Sequence, residues 1–318
     1  MDFEALRCPL CDGLLPRQAR WRMVKCPYCG GTVTLSDRVV ERKDFTASLQ
    51  KSKDLFIPGA DTVVIGGSRY ALLDPLGGGD HCEVSLAQRL DFNPERVIIK
   101  TARKTIAPGT LETEYRTLCR LQSLDGPGSA YFSQRLVQPV TVGRREDDGR
   151  EALIVREQPG FWGTLADVLD NYPSGIDPHH AVWIWRRILD VLGYIHENGW
   201  VHGDIRPEHL LVHPHDHGIL LIGWGKASLA GSDKSLYSRD LMRSALVIRL
   251  LLSGERGKGA LRSDVPQALG ALIDAASTDA RWCAARGAHQ IDDELKAAAR
   301  TAFGPPQFIA FDPVPRHR

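Results

Sequence analysis

What this 318-residue sequence lacks narrows it before any motif is read. Long apolar runs are missing: the most apolar stretch, Ala245 to Leu252, is short and carries Arg249, whereas a bilayer-spanning helix needs about 20 such residues. An excess of charge is missing too. The 40 Lys and Arg against 39 Asp and Glu leave a net charge of +1, so no general field draws the chain to nucleic acid or an anionic membrane, and such a partner would have to be met by a local patch. The opening residues, MDFEALRC, contain acids and no apolar core, so a secretory signal is not expected. Cysteine is sparse: of seven, four sit in two Cys-x-x-Cys pairs while Cys82, Cys119 and Cys283 stand alone. That is poor arithmetic for a disulfide framework and good arithmetic for metal, and it points to a reducing cytoplasm. The remainder, 43% hydrophobic and 25% charged, is that of a folded chain with room for two ordinary domains, or one large domain and a small appendage.

What is present begins with the cysteine pairs. Cys8-Pro9-Leu10-Cys11 and Cys26-Pro27-Tyr28-Cys29 are separated by fourteen residues, and Gly30-Gly31 follows. Two such knuckles present four thiolates to one tetrahedral Zn²⁺, whereas a redox dithiol would need a single pair. The arrangement resembles a zinc ribbon over residues 1–35, with a short hairpin expected between the pairs. So short a segment buries no core of its own, and zinc supplies much of its folding energy. Arg7, Arg17, Arg20, Arg22 and Lys25 against Asp2, Glu4 and Asp12 leave +2, with Trp21 and Tyr28 interleaved. Basic residues among aromatics can bind single-stranded nucleic acid, but +2 is a weak footprint, and a solvated face around a structural zinc is favoured. Residues 36–68 mix both signs of charge and read as a linker with a short helix near Val39 to Leu49.

The rest of the chain is organised around Trp200 to Gly225, WVHGDIRPEHLLVHPHDHGILLIGWG. His202-Gly203-Asp204-Ile205-Arg206-Pro207-Glu208-His209 resembles the catalytic loop of protein kinases, and Leu221-Ile222-Gly223-Trp224-Gly225 lies where that family carries Asp-Phe-Gly. In the family the loop Asp accepts the substrate hydroxyl proton, an Asn five residues on holds metal, and the Asp of Asp-Phe-Gly holds Mg²⁺ against the phosphates. Here Asp204 keeps the first place, His209 takes the second and Gly223 the third. The resemblance implies a kinase-like frame with both usual metal ligands replaced: a pseudokinase. Arg206 stands where many kinases place a lysine near the transferred phosphate, and Asp204 is either a retained base or a hydrogen-bonded loop residue. Gly203 replaces the arginine of His-Arg-Asp, so an activation-segment phosphate has no usual partner.

Alternating patterns mark strands at Tyr70–Leu73 and Val97–Lys100, with the glycine-rich GGGDHCEV of residues 77–84 between them. A hairpin turn is the plain reading. The resemblance makes it a GxGxxGxV nucleotide loop, Gly77, Gly79 and Val84 at its places and Cys82 at the third glycine, and makes Lys100 the lysine that pairs with the α and β phosphates. In LETEYRTLCRLQSL, Leu111, Tyr115, Leu118 and Leu121 share a helical face; Glu114 is a surface carboxylate or, by resemblance, the ion-pair partner of Lys100. Ala152–Val155 reads as a strand; by resemblance it leads into a hinge, Arg156-Glu157-Gln158, whose backbone would meet adenine, with Val155 as gatekeeper. Helices suit Thr164–Asn171, His179–Asn198, Leu241–Leu252, Val265–Ala276 and Gln290–Phe303, the second with a broad apolar face and the third apolar nearly all round. By resemblance His202 and Trp224 stack in one column with Leu118. His213, His215 and His217 invite a metal reading, but an exposed turn around Pro214 is favoured. The proline-rich tail, 305–318, is expected to be extended.

These readings give an α+β chain with a small β-rich lobe and a large helical lobe, a bilobal kinase-like domain over 69–304 behind a Cys₄ ribbon. The function implied is that of a scaffold or regulatory pseudokinase with a protein partner and no membrane. ATP is the nucleotide the resemblance implies, and Mg²⁺ lacks its usual ligands. Two alternatives stand beside it: an atypical ATP-dependent serine/threonine kinase using Lys100, Arg206 and Asp204 with His209 as substitute ligand, and a zinc-ribbon adaptor for nucleic acid.

Overall fold

A computed structural model describes residues 23–25, 32–34, 60–79, 81–90, 95–231, 233–253 and 261–314. Strands β1 (Met23–Lys25) and β2 (Thr32–Thr34) pair antiparallel with Val24 opposite Val33. These two strands flank the second cysteine pair, while residues 12–22, the rest of the span where a short hairpin is expected, lie outside the described residues. Cys8, Cys11, Cys26 and Cys29, and the helix expected near Val39 to Leu49, lie outside the described residues. From residue 60 onward the structure is described as two compact units.

The first unit is built on a six-stranded sheet, β3 (Thr62–Ile65), β4 (Ser68–Gly78), β5 (Cys82–Arg89), β6 (Arg96–Ala102), β7 (Pro139–Arg144) and β8 (Glu151–Arg156), in the order β3-β4-β5-β6-β8-β7. The sheet starts at Thr62, inside the stretch expected as linker. Val63 and Ile65 alternate inward, and Gly66 and Gly67, with φ of 60° and 79°, make the two-residue turn into β4 that residues with a Cβ resist. One buried face of alternating residues holds the sheet together: Val63, Ile65, Tyr70, Ala87, Val97, Ile99, Ala152 and Ile154. The β5–β6 register sets Val84 opposite Lys100.

The second unit is mainly helical: α1 (Thr110–Gln122), α2 (Leu165–Asn171), α3 (Pro178–Glu197), α4 (Lys234–Ser253), α5 (Gln267–Thr278) and α6 (Ala280–Phe303). Local chemistry fixes the starts. Thr164 and Asp167 form a reciprocal capping box on α2, and Asp177 caps α3 ahead of Pro178. Helix α3 buries Ile184, Trp185, Ile188, Leu189, Leu192 and Ile195, and the Trp185 indole donates to Ser244 Oγ of α4 at 3.0 Å. Helix α4 begins at Lys234, seven residues before the apolar run, and is not buried on every side: the apolar Leu246 is exposed. Helix α6 begins ten residues earlier than expected because Asp279 caps it, and Gly287, at φ 70°, kinks it. Among the described residues no helix is long and apolar enough to cross a membrane.

Short strands deliver the loops of interest. β9 (Gly163–Thr164), β11 (Leu210–His213) and β12 (Gly218–Leu221) form one sheet, and β10 (Trp200–Val201) pairs with β13 (Ser228–Leu229). The turn between β11 and β12 is not simply exposed. His217 is buried between the rings of Trp183, at 4.3 Å, and Phe308, at 4.2 Å. His213 instead meets Phe161 edge-on, and among the described residues no group of three or more potential ligands could hold a metal. Residues 305–314 of the tail have no regular structure yet are docked rather than free: Phe311 is buried against Tyr172, His180 and Trp183, and Asn171 Nδ2 donates to Pro313 O.

Candidate functional site

The loop between β10 and β11 hangs from one buried carboxylate. Asp240 of α4 is wholly buried and accepts the backbone N–H groups of His202, at 2.7 Å, and Gly203, at 2.9 Å. Arg243, one turn on, donates to Gly203 O at 2.5 Å. Gly203 sits at φ 78°, where a Cβ would lie 2.7 Å from Lys226 O, so this backbone is closed to an arginine at that place. The His202 ring donates from Nε2 to Ile222 O at 3.0 Å and accepts the Asp204 N–H at Nδ1. Burial pushes its pKa down to about 4. His202 meets Trp224 edge-on, ring centres 4.5 Å apart and planes at 60°, rather than stacking on it.

Asp204 is a well-neutralised carboxylate. Its Oδ2 lies 3.1 Å from Lys226 Nζ, 3.6 Å from His209 Nδ1 and 3.9 Å from Arg206 Nε. Burial works to raise its pKa, but these three neighbours outweigh it and leave the group below the ordinary carboxylate range. His209 is held at both ring nitrogens: Nδ1 donates to Asp204 O at 2.8 Å, and Nε2 accepts from Arg206 at 3.0 Å and 3.3 Å. That pairing assigns the neutral ring with its lone pair turned to a guanidinium.

The deciding contact is between His209 and Gly223. A Cβ on Gly223 would lie 2.7 Å from Cδ2, Cε1 and Nε2 of the His209 ring, and Gly223 is at φ 77°. The imidazole thus fills the space into which any side chain at residue 223 would project. Mg²⁺ needs octahedral oxygen donors with room for water; here one position has no donor, the second is a nitrogen bonded to Arg206, and Asp204 is bonded through Oδ2 to Lys226. These residues do not fit Mg²⁺.

Glu114, on α1, is buried rather than on the surface, along with Leu111, Thr117 and Leu118, while Tyr115 is half-buried. Its Oε1 accepts the Trp224 N–H at 3.2 Å. In the sheet unit, Lys100 is half-buried on β6. Gly77, at φ 139°, lies in β4 opposite Val84, and Gly79 enters the β4–β5 turn, which Arg103 pins by donating to Gly79 O at 2.9 Å. Arg103 also lies 3.5 Å from Glu83, and Arg150 bonds Glu83 at 2.8 Å; that hydrogen bond holds the Glu83 carboxyl below its usual pKa. The Glu157 N–H donates to Arg96 O, so the sheet rather than an adenine takes it.

No protein-family model matches the chain. Among curated proteins it is similar to the mitotic checkpoint serine/threonine-protein kinase BUB1 of Arabidopsis thaliana, 25% identical over 197 residues, 56% of this chain and 34% of that protein. It is also similar to the serine/threonine-protein kinase VRK3 of Mus musculus, 35% identical over 158 residues, 43% and 35% of the two chains. The chain spans 34 to 45% of the length of the first relatives it matches. Among solved structures, the BubR1 kinase domain aligns over 82% of this chain and 91% of its own, at a TM-score of 0.58 and 15% identity. The chain has a protein kinase-like fold. Three residues of this kinase-like fold that matter to the loop, Lys226, Asp240 and Arg243, escape a sequence reading. Asp240 alone carries a signal there, an acid at the edge of an apolar helix; nothing marks Lys226.

Proposed function

We propose that the chain is a pseudokinase, a kinase-fold scaffold or regulatory protein that engages a protein partner without transferring phosphate. The observation that carries this is the His209 ring lodged in the space above Gly223. Phosphoryl transfer relies on metal to neutralise charge developing between the phosphates, and the replacements at 209 and 223 fit each other sterically, as a settled arrangement does. The neutralised Asp204 agrees: a carboxylate held acidic is a weak general base. Lys100 and Glu114 keep the family's places as structural remnants. Radiolabelled phosphate transfer from ATP, to the chain itself or to generic protein substrates, should not exceed that of Asp204→Asn in Mg²⁺ or Mn²⁺. Transfer that the substitution abolishes would instead establish the atypical kinase.

The same reading gives the amino-terminal segment a structural zinc on Cys8, Cys11, Cys26 and Cys29 and the role of a second docking surface. Its support is the spacing of the pairs together with the β1–β2 hairpin around the second. Metal analysis should return one zinc per chain, lost in Cys26→Ser/Cys29→Ser; a zinc-free native protein would dismiss it.

A further inference from the structure

We propose that the groove of the helical unit in which the tail lies is a docking site for an extended segment of a partner protein, with two aromatic residues three apart and a proline two further on. Residues 304–314, with Phe308, Phe311 and Pro313 at those places, fill it in cis until such a segment displaces them. Three side chains of the helical unit bond the tail, and all three meet its main chain. Tyr172 Oη donates to Asp312 O, Asn171 Nδ2 donates to Pro313 O at 3.1 Å, and the His217 ring is hydrogen-bonded to the backbone of Ile309. Main-chain groups are the same in every peptide. Donors aimed at them hold an extended chain whatever its sequence and leave selection to the few side chains that enter.

Those side chains are few. Phe311 and Pro313 are buried, Phe311 among Tyr172, His180 and Trp183, while Phe308 stacks on His217 with 68% of its surface exposed. Every other residue of 305–314 is exposed. A strap held at so few points opens without unfolding the unit beneath it. The groove itself is fixed by bonds in which the tail has no part: Trp183 Nε1 donates to His180 Nδ1 at 3.2 Å, the Trp183 and His217 rings stack with planes 6° apart, and Arg187 Nε donates to His217 O at 3.0 Å. Its shape therefore outlasts the tail's departure. What departure would leave is a bare face of Tyr172, Trp183 and imidazole rings, an apolar patch that calls for a cover of the same chemistry. No residue of the Asp204 loop takes part, so docking here is independent of whether the chain transfers phosphate.

The test is fluorescence anisotropy of a labelled peptide of residues 304–314 titrated with the full chain. The cis tail competes at an effective concentration on the order of millimolar, so the wild type should bind the peptide about tenfold or more weakly than Phe308→Ala/Phe311→Ala. Phe308→Ala alone, which removes an exposed ring and keeps the fold, should fall between them. A peptide that keeps both phenylalanines and the proline at their spacing, with serine at every other place, should bind within about threefold of the native one. A peptide with both phenylalanines changed to alanine should not bind. Asn171→Ala added to the double variant should weaken binding about fivefold, the loss of one hydrogen bond. Should Phe311→Ala lose the fold, the Phe308→Ala comparison carries the test by itself. Equal affinity of the wild type and the variants, absence of binding to folded variants, or binding of the native peptide but not the serine peptide overturns the proposal. So does a wild-type dimer that Phe311→Ala dissolves, since the groove would then belong to a second copy. Each of these leaves the pseudokinase reading intact, whereas phosphate transfer sensitive to Asp204→Asn removes that reading and leaves the groove.

Discussion

The fit between His209 and Gly223 can be measured as a coupling energy. Gly223→Asp restores the carboxylate that the family carries, but into occupied space. A Cβ 2.7 Å from three ring atoms is an overpacked contact costing about 1–3 kcal/mol. The left-handed backbone at φ 77° adds about 1–2 kcal/mol for a residue with a Cβ, so the single variant should lose about 2–5 kcal/mol. His209→Asn alone gives up the bonds to Asp204 O and Arg206 and should cost about 1–2 kcal/mol. In the double variant the smaller asparagine vacates the space, and only the backbone term and the lost bonds remain. The double variant should therefore be more stable than the sum of the singles by about 1–3 kcal/mol. Urea unfolding of the four proteins in EDTA measures this. Additivity within about 0.5 kcal/mol would show that the imidazole does not hold the place of a side chain, and the argument for a settled metal-free arrangement would fail. Mg²⁺ added afterwards should raise the midpoint of the double variant and leave the wild type where it was.

Asp240→Ala should destabilise the helical unit by about 2–6 kcal/mol, because the His202 and Gly203 N–H groups lose their acceptor in a buried site, at about 1–3 kcal/mol each; a urea midpoint near wild type would refute this. Acid should destabilise the unit before its exposed carboxylates titrate. His202 falls from an ordinary 6.5 to about 4 in the folded chain, so between those values the unfolded chain binds more protons. The stabilisation is complete above pH 6.5 and about 3 kcal/mol of it is gone by pH 4. Burial lowers His180 and His217 as well, in the same direction. Unfolding midpoints measured from pH 7.5 down to 4.5 should fall, and fall less steeply in His202→Gln; equal slopes would contradict the assignment. Phe311→Ala, removing a buried anchor of the tail from Tyr172, His180 and Trp183, should cost about 3 kcal/mol and open residues 304–314 to proteolysis; a protease-resistant tail would show that Phe311 does not hold it.

What the sequence determined by itself was local or periodic. Alternation placed β4 and β6, the apolar run Ala152–Val155 placed β8, the helical spacing placed α1 and α3, and caps such as Thr164 and Asp177 mark helix starts that residue type alone foretells. It also named the two replaced positions, His209 and Gly223, since that needs only the identity of residues at a known spacing. The hairpin of β3 and β4 was legible too, in Thr62–Ile65 followed by two glycines, but mixed charge upstream hid it. Tertiary structure alone decided the rest, because each answer depends on residues far apart in the chain. Residues 209 and 223 turn out to occupy one volume. Lys226 reaches Asp204 across 22 positions and Asp240 reaches His202 across 38. His217 is buried only because Trp183 and Phe308 come to either side of it. A missing metal ligand can be read from a letter, whereas what fills its place is fixed by packing, and packing is a property of the folded chain.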